Sequence, residues 1–144
     1  MFSKSQADAV TRVLAELCFS KLPHDINMIE FHDYESSDRV DRFLKSCIHI
    51  IGAQEISADD LIQNLITIDF SESLNLIAGL SDACKDKIAD YIIYIMGSEI
   101  LPFGVFYFAN DLRIVNDIVC RANIRNAHLR TVIEYSKRFH RIDL

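Results

Sequence analysis

Glycine and proline are scarce, at four and two residues in 144. That scarcity excludes loop-rich and turn-rich architectures, because those two residues supply most sharp reversals of the backbone. None of Gly52, Gly79, Gly97 and Gly104 belongs to a glycine-rich phosphate loop, so nucleotide binding has no support. The four cysteines, Cys18, Cys47, Cys84 and Cys120, are far apart and form no CxxC pair, which excludes a zinc ribbon and a thioredoxin-type redox site. They read instead as small buried hydrophobes in a reducing cytoplasm. No apolar run reaches membrane-spanning length, and no basic segment leads into an apolar signal region. Peripheral attachment to a membrane stays open. A formal net charge of −6 argues against nonspecific nucleic-acid binding, which positive charge drives through counterion release.

What the chain does contain is helical periodicity. Val40, Phe43, Leu44, Cys47, Ile48 and Ile51 follow i, i+3, i+4, i+7, i+8, i+11, which places all six on one face of a helix over 38–52. A first helix over 5–18 turns Ala7, Val10, Leu14 and Leu17 inward, with Ser3 and Gln6 spaced as a capping box. Ser57, Asp69 and Ser81 mark further starts, and the helices they open carry Leu61, Ile62, Leu65 and Ile66, then Leu74, Ile77 and Leu80, then Ile88, Tyr91, Ile92, Ile95 and Met96. Because Ile93 and Tyr94 fill the other side of that last helix, it is expected at the centre of the bundle. Pro102 suits the first turn of the next, whose inner face is Leu112, Val115, Val119 and Ala122. Asn123 ends it, and Asn126 opens a final helix carrying Leu129, Val132 and Ile133. The period is lost between Ser20 and Ser37, where a loop with a short helix is favoured over an edge strand. The expected fold is an all-α, single-domain bundle of six to seven helices, divided into 6–52, 57–124 and a basic helix over 125–144.

Candidate chemistry is thin. His24, Glu30, His32 and Asp33 lie close enough in sequence to hold a divalent metal, against the plainer reading of a solvated acidic loop. Cys47 and His49 point to different sides of their helix, so a nucleophile and base are not expected there. No catalytic residue and no cofactor are assigned. The aromatic run Phe103, Phe106, Tyr107 and Phe108 reads either as core or as a partner patch. Charge is segregated: Asp25, Glu30, Asp33, Glu35, Asp38 and Asp41 form an acidic stretch. From Arg121 onward, six arginines and lysines face only Glu134 and Asp143. Beyond solubility, such segregation suits a self-complementary contact between two copies or capture of an acidic partner, with Phe103, Phe106, Arg130, Lys137 and Arg138 as contact residues.

Leu74-Asn75-Leu76-Ile77, Leu80-Ser81-Asp82, the run from Lys85 to Met96, the turn Gly97-Ser98-Glu99-Ile100 and the ending Cys120-Arg121-Ala122-Asn123-Ile124 together carry a resemblance. The stretch from Asp69 to Ile124 resembles the second half of a TerB-like domain, the helical module named for tellurite-resistance proteins. Residues 6–52 are similar to the first half in pattern only, and the chain beyond Arg125 lies outside it. The resemblance implies a pseudo-repeated bundle, in line with the echo between Lys21-Leu22-Pro23 and Ile100-Leu101-Pro102. It also implies metal-binding acids next to Asp-Gly turns. Here Gly97 and Ser98 stand where Asp-Gly is expected and Gly104 falls near the helix acid, so only Glu99 and Ile100 keep the family character. The resemblance therefore implies the scaffold without the metal site. The functional expectation is a noncatalytic, bacterial-type protein-interaction or stress-associated module in the cytoplasm, with a protein partner or a second copy of itself. The alternative is a small metal- or ligand-binding protein using 24–35.

Overall fold

Side-chain caps decide where the helices begin. In the computed structural model, which describes residues 2–19, 38–52, 57–97, 100–102 and 104–144, Ser3 accepts from the Gln6 backbone while the Gln6 side chain accepts from the Ser3 backbone. This reciprocal box opens α1 (Lys4–Ala15). Helix α2 (Asp38–Ile51) follows, then α3 (Ala58–Leu65) and α4 (Phe70–Ala78), capped by Ser57 and Asp69. Ser81 caps α5 (Asp82–Met96), and Asn126 caps α7 (Ala127–His140). Between them run β1 (Ile100–Leu101), β2 (Val105–Phe106) and α6 (Ala109–Arg121). Each Ser, Asp or Asn cap of this kind is worth roughly 1 kcal/mol, because it satisfies an amide that the first turn leaves unpaired.

The described residues thus hold seven helices and one two-stranded sheet, a mostly α fold as expected. The strands pair antiparallel, Ile100 with Phe106 and Leu101 with Val105. Pro102 sits in the turn of this hairpin and does not start a helix, which corrects the expectation for it. The Gly104 amide donates to the Leu101 carbonyl at 2.8 Å, and Gly104 has φ +82°, a left-handed conformation that a three-residue hairpin needs at its last position. Helix α6 therefore begins seven residues after Pro102, at Ala109.

Helix α1, not α5, occupies the centre. It packs most extensively on α4 and also against α2, α3 and α5. Val10, Val13, Leu14 and Ala15 are fully buried, and so are Thr11 and Arg12. The polar pair escapes the cost of burial by bonding: Thr11 Oγ1 donates to the Ala7 carbonyl, and Arg12 pairs with Glu16. Helix α5 buries Ile88, Ile92, Ile95 and Met96 but leaves Tyr94 46% exposed, so it is amphipathic and peripheral. Apolar residues of all seven helices join Phe106 in one core cluster. Full burial of each Leu, Ile or Phe there contributes roughly 1.5–3 kcal/mol. Ile51 is 46% exposed, and Ile50 takes the buried place at the end of the α2 stripe. Arg39 of α2 grips Asp111 of α6 with both nitrogens, at 2.8 and 3.2 Å, and also donates to the Leu17 carbonyl.

Helices α6 and α7 end alike. The Ile124 amide reaches the Val119 carbonyl and the Asn123 amide reaches Cys120, with Asn123 at φ 53°. After α7, Ile142 reaches Lys137 and Arg141 reaches Arg138, with Arg141 at φ 56°. Both are Schellman endings, which place one residue in the left-handed region. Asparagine tolerates that region, whereas an arginine there is strained by its Cβ. Arg141→Gly should therefore raise the unfolding free energy by about 0.5–1 kcal/mol, measured by urea denaturation. Asn123→Gly should change it less.

Candidate functional site

Arg130, Lys137 and Arg138 all project from α7, which rests its inner face, Leu129, Val132, Ile133 and Ser136, on the core. Helical spacing separates them. Arg130 and Lys137 are seven residues apart and line one side of a cleft of about 230 Å³ between α6 and α7, shared with Asn116, Cys120, Asn123, Arg125 and Glu134. Lys137 pairs there with Glu134 at 3.0 Å, leaving Arg125 and Arg130 without an ion pair among the described residues. Arg138 stands one residue round the helix, its guanidinium 5.9 Å from the Tyr135 ring centre. The structure thus joins Arg130 with Lys137 in a polar cleft and puts Arg138 on a neighbouring aromatic face.

That face was only partly legible in the sequence. Phe106 is fully buried, its amide donating to Ser136 Oγ at 2.9 Å and its carbonyl 2.7 Å from His140 Nε2. Phe106 is therefore core, and its side chain is withdrawn from any partner surface, which corrects its assignment as a contact residue. The same two bonds set β2 against the end of α7 and carry Tyr107 and Phe108, 56% and 50% exposed, to the neighbouring surface. Their rings meet edge to face at 4.8 Å. On α7 itself Tyr135 and Phe139, four residues apart, are 49% and 52% exposed. Tyr135, Phe139 and Arg138 thus share the outer side of α7, and Tyr107 and Phe108 follow β2 where it is bonded to the end of that helix. Tyr135 and Phe139 lacked a signal in the sequence, because a helix of this composition reads as a solvated basic face.

Phe103 and the metal candidates His24, Glu30, His32 and Asp33 lie outside the described residues. Among the described residues no group of three or more His, Cys, Asp or Glu could hold a metal. Cys47 is buried on α2 and His49 is exposed, so the two do point apart. Burial pushes the Cys18 thiol up to about 12 and raises Cys47 further, which makes both poor nucleophiles at neutral pH. Cys120 departs from the expectation of a core cysteine: it is exposed, with Sγ 3.9 Å from Asn116 Oδ1. Cys84 is half-buried. No helix among the described residues is long and apolar enough to cross a membrane. Comparison with protein-family models, with curated proteins and with solved structures finds no match.

Proposed function

We propose that this chain is a noncatalytic interaction module of the TerB-like kind whose last helix docks an acidic segment of a partner protein. The observation that carries the reading is the pairing of exposed aromatics with cations along α7, Tyr135 under Arg138 and Phe139 one turn on. Large half-exposed rings offer contact area at little cost in side-chain entropy, and surrounding arginines select carboxylates. The partner's acids would meet Arg125 and Arg130 at the α6/α7 cleft, and its apolar side chains would meet Tyr135, Phe139 and Tyr107. The fold supplies a rigid base, since Val132 is buried in the core and Ser136 accepts from the Phe106 amide of β2.

Fluorescence anisotropy with a labelled peptide that alternates glutamate and leucine tests this. Binding should weaken about tenfold in an Arg130→Glu, Arg138→Glu double variant and should weaken as salt rises, because charge complementarity is screened. Tyr135→Ser with Phe139→Ser should weaken it without altering the salt dependence. Wild-type affinity in the charge-reversed protein would overturn the proposal, as would stronger association with anionic vesicles than with the peptide. A dimer that charge reversal dissociates would make a second copy the occupant.

A further inference from the structure

Helix α5 shows a second stripe beside its core face, of which only Tyr91 also packs against the core. Lys87, Asp90, Tyr91 and Tyr94 follow i, i+3, i+4, i+7 and so share a face, turned away from Ile88, Ile92 and Ile95. Helix α2, packed alongside, contributes Lys45 and His49, one turn apart. Together they line a cleft of about 350 Å³ between the two helices, at the small end of the range for ligand sites.

Its polar groups are unevenly committed. His49 Nδ1 and the Tyr91 hydroxyl are hydrogen-bonded across the cleft, with ring centres 5.9 Å apart, so one aromatic wall is fixed in place. Burial raises the Tyr91 phenol above its ordinary value, which keeps it neutral and able to donate. Lys45 is held at 3.0 Å by Asp41. Lys87 has no ion pair among the described residues, and the Tyr94 ring is 46% exposed with no hydrogen bond among them. A fixed ring, an uncommitted ring and an uncommitted ammonium therefore converge. Asp90 on the same stripe adds a negative charge that opposes any anion, and a multiply charged one such as a phosphate more strongly than a singly charged one.

We infer that the α2/α5 cleft binds a one- or two-ring aromatic carboxylate, its ring against Tyr94 and the His49–Tyr91 pair and its carboxylate on Lys87. The site is independent of the α7 face and stands or falls separately from it. Indole-3-acetate is a suitable probe, since the chain has no tryptophan and indole emission reports the ligand alone. Titration should be saturable, with Kd on the order of 0.1–1 mM for a ligand of this size. Tyr94→Ala should weaken binding about tenfold through lost ring contact. Lys87→Gln should weaken it about tenfold as well, and the neutral indole-3-acetamide should bind the wild type about tenfold more weakly than the acid. Both residues lie at the surface of α5, and circular dichroism checks that the variants stay folded. No saturable signal overturns the inference. So does a Lys87→Gln protein that binds as tightly as wild type, or an amide that matches the acid.

Discussion

Phe106→Ala should cost about 3–5 kcal/mol of unfolding free energy, the range for emptying a phenylalanine site in a packed core. The ring is fully buried, and its backbone is held to Ser136 and His140 on α7, so neighbouring atoms have little freedom to collapse into the space. Tyr107→Ser, one residue on, should change stability by less than about 0.5 kcal/mol, because exposed side chains away from special backbone positions rarely matter more. Phe108→Ser, at the N-cap of α6 where no side chain caps the helix, should instead raise it by roughly 1 kcal/mol. Urea denaturation measures all three. The contrast separates two roles in one short run: Phe106 holds the hairpin to the last helix, and its neighbours are available to a partner. A Phe106→Ala protein as stable as wild type would contradict that division.

Arg12→Ala should be comparably severe, again about 3–5 kcal/mol, because it leaves a buried carboxylate without its cation. Arg12 is 1% exposed; its Nε donates to the Ile68 carbonyl at 3.0 Å, a terminal nitrogen donates to Glu16 Oε1 at 2.7 Å, and the guanidinium lies 5.2 Å from the centre of the Phe70 ring. Arg12→Met with Glu16→Leu should recover most of the loss, since removing both charges removes the desolvation cost as well. The pair also imposes a pH dependence. Burial raises the Glu16 carboxyl above 4.5, outweighing the hydrogen bond and charge of Arg12, which lower it. The native state therefore keeps this proton at pH values where the unfolded chain has released it. Stability should fall as pH rises through the window from 4.5 to the raised value, and Glu16→Gln should flatten that slope. A steeper decline in the variant would contradict the assignment.

Helix starts were legible because their chemistry is local. Ser3, Ser57, Asp69, Ser81 and Asn126 each need only an amide three residues on, and the structure provides it. The inner faces were legible for the same reason, as the spacing of Leu112, Val115 and Ala122 or of Leu129, Val132 and Ile133 shows. The central helix was not. Apolar content pointed to α5, but centrality followed from α1, whose alanines are small and whose Thr11 and Arg12 carry their own partners. No count of hydrophobic residues registers a polar side chain that brings its hydrogen bonds inside. Pro102 misled because proline suits a helix start and a turn equally well, and only Gly104 two residues on separates the cases. Of the candidate contact residues, charge asymmetry was enough to mark Arg130, Lys137 and Arg138. Which of them share a surface depended on helix rotation against α6, a tertiary fact.

The central place of α1 also bears on how the chain folds. Its principal partner, α4, lies more than fifty residues downstream, and α5 later still. The contacts that bury its apolar sides are nonlocal, so loops must close before they form, and this slows folding relative to a bundle built from adjacent hairpins. During synthesis α1 leaves the ribosome well before α4, its principal partner, and of the other described helices only α2 and α3 can cover part of it in the interval. A nascent chain halted before Phe70 would display Val10, Val13 and Leu14 to whatever surface lay nearest, and chaperone capture should peak over that interval.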